Sequence, residues 1–296
     1  MEIMFLGTSS MVPTSDRNHS ALLLNYKAEH ILIDCGEGTQ RQLRKAKFSA
    51  AKLTKILISH WHGDHVFGLP GLIQTLIANG FTKELEVYGP KGTKKFFDLM
   101  LKAFIIKGNM IKLTIKEIGE GKFFENEDFI LEAHKLEHGH CLGYNFIEKD
   151  RRKVLISKLK KYKLTTNPIL RELQQGKDII WNGKKIKVND VTSLIKGRKI
   201  SIVSDTGPNK VIAKMCKDAT LMISESTYAQ DLQKLANERN HLTSQQAATY
   251  AKQAKVKNLV ITHFSQRYSN VKDLLKEARK IFKKTEAASD FLRISL

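Results

Sequence analysis

The chain has 296 residues, with 50 Lys and Arg against 30 Asp and Glu and a formal net charge of +20. That length supports one large domain or two small ones around a substantial core, and a hydrophobic content of 42% excludes a disordered or fibrous chain. The longest apolar runs, such as Ala21–Leu24, fall far short of the roughly 20 residues of a membrane helix, so the excess charge points to a polyanionic partner, nucleic acid before a membrane surface.

In chain order, Glu2–Leu6, Ser20–Tyr26 and His30–Cys35 read as strands, the last two joined as a hairpin through Lys27-Ala28-Glu29. Glu2 stands where a secretory leader has Lys or Arg, so a cytoplasmic protein is expected. A short helix over Thr39–Ala46, a buried strand at Lys55–Ser59 and a helix over Val66–Ala78 follow. Leu85–Gly89 is a strand and Thr93–Phe104 a helix, and Ile111–Ile118, Phe129–His134 and Leu142–Ile147 are strands. Beyond residue 198, the spacing predicts strands at Lys199–Ser204, Thr220–Ser224 and Asn258–Thr262, with helices at Ser244–Ala254 and Val271–Phe282. Two βα-rich blocks, 1–148 and 199–296, thus predict an α/β fold of mixed sheets faced by helices, with functional residues on loops at strand ends. Cys35, Cys141 and Cys216 form no CxxC pair and read as buried thiols, not as a disulfide framework or zinc ribbon.

Between the blocks the composition changes. Lys149–Lys199 holds sixteen basic residues against Asp150, Glu172, Asp178 and Asp190, a net of +12 in a sixth of the chain. Its densest part, Lys149–Lys163, interleaves Val154, Leu155, Ile156, Leu159 and Tyr162 with Lys153, Lys158, Lys160, Lys161 and Lys163. Such alternation suits a short strand or helix with a basic outer face.

The strongest chemical signal is Ser59-His60-Trp61-His62-Gly63-Asp64-His65, directly after an apolar strand. A tight turn there, eased by Gly63, converges imidazoles and a carboxylate on one point, the ligand types that Zn2+ prefers. His138, Asp205 and His263 also lie after or between apolar strand residues, in LEHGHCLGY, VSDTGP and ITHFSQRY. Asp205 reads equally as a turn residue or helix cap, and Glu225 with His241 as a cap pair for Ser244–Ala254. Taken together, His60, His62, Asp64, His65, His138, Asp205 and His263 supply the ligands that two metal ions sharing a bridging carboxylate need.

Over nearly its whole length the chain resembles the metallo-β-lactamase superfamily and, within it, the tRNase Z family of tRNA 3′-end endoribonucleases. The resemblance rests on FLGTSSMVPTSDRNHSALLL (Phe5–Leu24), ILIDCGEGTQRQL (Ile31–Leu43) and SHWHGDHVFGLPGL (Ser59–Leu72). It continues through SDT at 204–206, ESTY at 225–228, NHLTSQQA at 240–247 and HFSQRY at 263–268. The HxHxDH element alone marks the superfamily, and the combination marks the family. The resemblance implies a four-layer αββα sandwich and two Zn2+ ions per chain. His60, His62 and His138 would hold one ion, Asp64, His65 and His263 the other, and Asp205 would bridge them. His134 and His140 lie near enough to compete with His138, and 138 and 140 would share a strand face. Asp64 would act on the attacking water, and His241, oriented by Glu225, would protonate the leaving oxygen. The same resemblance makes 149–198 an inserted arm that grips precursor tRNA through Lys153, Lys158, Lys160, Lys161 and Lys163, and implies a homodimer. In place of the family's Gly-Pro-rich start near the arm's tip, this chain has LTTNPILRELQQG at 164–176. The competing expectation is a general metal-dependent phosphodiesterase on the same fold.

Overall fold

A computed structural model describes residues 1–107 and 110–296. The first part of the chain supplies β1 (Glu2–Gly7), β2 (Ala21–Tyr26), β3 (Glu29–Ile33), β4 (Lys55–Leu57), β5 (Glu84–Gly89) and β6 (Lys112–Glu117), then β7 (Gly121–Glu125), β8 (Phe129–Lys135) and β9 (Leu142–Glu148). The basic insertion carries β10 (Arg151–Val154), β11 (Ile179–Trp181), β12 (Lys184–Ile186) and β13 (Thr192–Ile195). The chain ends with β14 (Lys199–Val203), β15 (Leu221–Glu225), β16 (Leu259–Thr262), β17 (Thr285–Ala287) and β18 (Arg293–Ser295). Two seven-stranded sheets form, in the orders β18-β1-β2-β3-β4-β5-β6 and β17-β16-β15-β14-β9-β8-β7. Each half of the sequence crosses over: β7 to β9 join the second sheet, and β18 returns to pair with β1 of the first.

The period-2 alternation of the strands produces the layers. From β1, Ile3 and Phe5 point between the sheets and pack with Leu22, Phe129, Tyr144 and Ile202. Met4 and Leu6 point the other way, onto the side covered by Leu43, Leu72 and Phe97 of three helices. The second sheet repeats the arrangement, with Met222 and Ile261 facing helical Ile212, Ala248 and Leu274. Helices on the outer faces and two sheets between them make the four-layer αββα sandwich. Central strands apolar on both faces, such as Leu221–Ile223, follow from burial on both sides.

Three differences from the sequence reading have local causes. The helix expected over Val66–Ala78 is two helices, Gly63–Val66 and Leu69–Ala78. At the break the Gly68 N–H donates to Cys35 O at 2.8 Å, and a Cβ at Gly68 would meet Gly36 O at 2.1 Å. Strands β7, β17 and β18 carry no sequence signal because they are short edge strands with little alternation. His138 and His140 lie in the β8–β9 connection, outside any strand, so they share no strand face. All three cysteines are buried thiols, and burial pushes Cys35 and Cys216 up to about 12. Among the described residues no helix is long and apolar enough to cross a membrane.

The insertion has a small core of its own. Leu159, Leu164, Leu173, Ile179, Ile186, Val188 and Val191 cluster beneath the two-stranded pairs β10–β13 and β11–β12. Asn167 Oδ1 accepts the N–H of Ile169 at 3.0 Å, so Asn167-Pro168 starts the turn into the helix Leu170–Gln174. Lys153, Lys158, Lys160, Lys161 and Lys163 are all exposed, and among the described residues none of them is in an ion pair, unlike Lys149, Lys185 and Lys196.

Candidate metal centre

The site forms at the carboxyl ends of parallel strands in both sheets, where backbone leaving a ladder exposes side chains. Beyond β4 the chain runs through Ser59 and His60, turns at His62-Gly63, and returns Asp64 and His65 on the short helix Gly63–Val66. Asp205 follows β14, Glu225 ends β15 and His263 follows β16, at a left-handed φ of 60°. His138 comes from the β8–β9 connection and His241 from the segment before the helix Ser244–Gln253.

These side chains converge in two overlapping groups. His60, His62 and His138 each offer a ligand atom within 4.8 Å of the others, as do Asp64, His65, Asp205 and His263. In the first group His138 Nε2 lies 3.1 Å from His62 Nδ1. In the second, His65 Nε2 is 3.4 Å from both Asp64 Oδ2 and Asp205 Oδ1, and His263 Nε2 is 3.3 and 3.2 Å from the same oxygens. Asp205 Oδ2 is also 3.8 Å from His60 Nε2, so this carboxylate touches both groups. His140 and His134 take no part; the former is exposed, and the latter contacts Glu132 and Asn145. His138 is held for the role by its Nδ1, 2.9 Å from Asn240 O.

The donors suit a divalent cation. His60 Nε2, His65 Nε2, Asp64 Oδ1 and Asp205 Oδ1 are buried with no hydrogen-bond partner, a cost that a cation at their common focus removes. Burial and the neighbouring His65 hold His60 well below the ordinary imidazole range, so it presents a neutral nitrogen. Burial would also lower His65, but Asp205, Asp34 and Asp64 outweigh it and draw positive charge to this spot. Burial raises Asp64, yet His65 and His263 together hold it well below the usual carboxylate range. The two groups grade from buried His65, Asp205 and Asp64 to exposed His62 at the mouth.

Glu225 and His241 cap no helix. The helix Ser244–Gln253 is capped by Thr243 with Gln246, and Lys210–Met215 by Asn209, which leaves Asp205 to face the centre. His241 Nδ1 lies 3.0 Å from Glu225 Oε1. Burial would lower His241, but the charge and hydrogen bond of Glu225 carry it up to about 9, a protonated imidazole at neutral pH. His241 lines a cleft of about 230 Å3 walled by Met11, Val12, Arg239 and Arg267, with Glu225 buried behind it. A larger hollow of about 580 Å3 beside Thr14, Arg41 and Asp290 contains none of the converging groups, and the chemistry assigns the smaller one.

Sequence reasoning missed the residues that hold the ligands. Asp34, at a left-handed φ of 59°, lies 2.7 Å through Oδ2 from His65 Nδ1, fixing which nitrogen of that ring faces inward. Its signal was its place in ILIDCGEG, after an apolar strand. Arg239 carried no signal beyond its charge, and Arg267 stood within HFSQRY without a role of its own.

The sandwich and this set of histidines and aspartates at strand ends define a metal-dependent hydrolase of the metallo-β-lactamase superfamily. Among curated relatives, Ribonuclease Z of Bacillus thuringiensis (strain Al Hakam) is 40% identical over 302 residues, covering 98% of this chain and 97% of that protein. Ribonuclease BN of Escherichia coli O6:K15:H31 is 40% identical over 303 residues, covering 98% of each. The chain therefore belongs to the ribonuclease Z family. The crystal structure of the short form of human tRNase Z superposes with a TM-score of 0.69 at 28% identity, covering 100% of this chain and 99% of that one. A family model described as Anti-Pycsar protein Apyc1 matches residues 1–138.

Proposed function

We propose that this protein is a metal-dependent endoribonuclease that removes 3′ trailers from precursor tRNA, leaving a 3′-hydroxyl on the tRNA. The observation that carries the reading is the convergence of His60, His62, His138, Asp64, His65, His263 and Asp205 on one cleft, with protonated His241 at the same cleft. His60, His62 and His138 would hold one Zn2+ and Asp64, His65 and His263 the other, with Asp205 within reach of both groups. When bound, the ions supply Lewis acidity, acidifying water and neutralising charge on the scissile phosphate. Asp64, ionised and with Oδ1 unpaired, accepts a hydrogen bond from the attacking water and orients it. His241 gives its proton to the departing 3′ oxygen, and Glu225 keeps that proton in place beforehand. Arg239 and Arg267 line the cleft as cations for the flanking phosphates.

Residues 149–198 form a tRNA-gripping arm on the catalytic body of 1–148 and 199–296. Lys153, Lys158, Lys160, Lys161 and Lys163, exposed and in no ion pair among the described residues, support phosphate binding without sequence readout. On the same reading the protein works in the cytoplasm as a homodimer, which light scattering of the purified chain tests. The deciding experiment incubates zinc-loaded protein with a tRNA bearing a 3′ trailer and maps the cut. A single cut near the acceptor end that needs both metal and residues 150–198 supports the reading. If the arm-deleted chain cleaves precursor tRNA as well as the intact one and also hydrolyses a small phosphodiester, the general phosphodiesterase takes its place.

A further inference from the structure

Thr227 follows Glu225 by two residues and is buried between His241 and His263. Its Oγ1 lies 2.8 Å from Glu225 Oε2, 2.9 Å from His263 Nδ1 and 3.4 Å from His241 Nδ1. A hydroxyl has one proton to donate. Glu225 receives the backbone N–H groups of Thr206, Thr227 and Leu242 at 3.1, 3.1 and 3.0 Å, spread over both its oxygens. Backbone donors on both oxygens cast it as the acceptor in these contacts, so the Thr227 proton points to Oε2. The contact with His263 must then run the other way, from Nδ1–H to the Thr227 oxygen. That tautomer leaves the His263 lone pair on Nε2, the atom facing Asp64 and Asp205.

The amino-terminal half of the site repeats the arrangement. Ser59 gives its N–H to Asp34 Oδ1 at 2.7 Å and its hydroxyl to Oδ2 at 2.8 Å. His60 Nδ1 lies 3.0 Å from the Ser59 oxygen, and its Nε2 is the unpaired atom at the focus. We propose that Thr227 is a positioning residue whose hydroxyl fixes the tautomer of His263 and joins it to the carboxylate that orients His241, with Ser59 as its counterpart for His60. The inference rests on the metal reading of the site. It gives Glu225 a double duty, holding one metal-facing histidine through Thr227 and the proton donor directly.

The test compares Thr227→Val, nearly isosteric but without the hydroxyl, with Thr227→Ser, which keeps it. Zinc affinity of the full-length chain is read by competition with a chromophoric chelator. Thr227→Val is expected to bind zinc roughly 10- to 100-fold more weakly, while Thr227→Ser stays within about threefold of the unaltered chain. In the unaltered chain, nitrogen NMR of the imidazoles should show the His263 ring proton on Nδ1. A Thr227→Val chain with undiminished zinc affinity overturns the proposal, as does a His263 ring carrying its proton on Nε2. The ring measurement decides even if Thr227→Val does not fold. Failure of the unaltered chain to bind zinc would instead sink the reading of the site itself, whereas equal affinities of the unaltered and Val chains sink only the relay.

Discussion

Around His60 and His263 the polar side chains are buried and tied to neighbours at fixed distances, whereas along Lys153–Lys163 the ammonium groups stand in solvent over a small apolar core. The first region keeps its histidines and carboxylates within a few ångströms of one another, as chemistry on a phosphodiester requires. The second carries charge in bulk, which acts over a Debye length and tolerates imprecise placement. Damage to the centre should therefore appear in kcat and damage to the insertion in affinity. The largest break should come from His65→Ala, which removes a buried imidazole beside three carboxylates. Loss of metal function there is worth several kcal/mol of transition-state stabilisation, so single-turnover cleavage should fall on the order of 10^3-fold or more. Retained cleavage in that variant would remove the metal mechanism.

Next in size is His241→Ala. General acid catalysis contributes roughly 10^2- to 10^4-fold, and kcat should fall within that range while precursor tRNA binding stays unchanged. Glu225→Gln should lower kcat in the same direction, because the amide no longer supplies the charge that keeps His241 protonated. Replacing Lys158, Lys160, Lys161 and Lys163 together with Ala should leave kcat intact and weaken binding. The slope of log affinity against log salt should flatten by about 0.7 to 0.9 for each phosphate that the variant no longer neutralises. An unchanged slope would mean that these lysines are solvated surface and not a grip.

Much of this comparison was legible in the sequence, for separate reasons. The HxHxDH cluster is local, and one turn after one strand brings it together, so spacing alone exposes it. Asp205 and His263 were visible only as polar residues past apolar strands, and their meeting depends on β14 and β16 flanking β15 in one parallel run of strands. The choice of His138 over His140 depends on Asn240, 102 residues away, and no local pattern contains that contact. Ser59 and Thr227 stood inside recognisable motifs yet gave no signal, because a hydroxyl's role comes from which lone pairs its neighbours leave open. The charge of the insertion was plain from counting. Its fold was not, because its strands are only three or four residues long and its apolar positions follow neither helical nor strand period.

One part of that fold did have a sequence signal, and it gives the smallest test of the contrast. Between β11 and β12, Asn182 and Gly183 take φ values of 47° and 71°, the two positive values that a type I′ two-residue hairpin demands. Nothing lies within 4 Å of where a Gly183 Cβ would be, so Gly183→Ala strains only the backbone, by about 1 kcal/mol. The strain falls on a hairpin whose Ile179 and Ile186 belong to the insertion's own cluster. Amide exchange across 179–186 should therefore quicken about fivefold, the equivalent of that energy, while hydrolysis of bis(p-nitrophenyl) phosphate is unchanged. If the small-substrate rate falls with the hairpin, strain in the insertion reaches His241 and Asp64, and the separation of grip from chemistry does not hold.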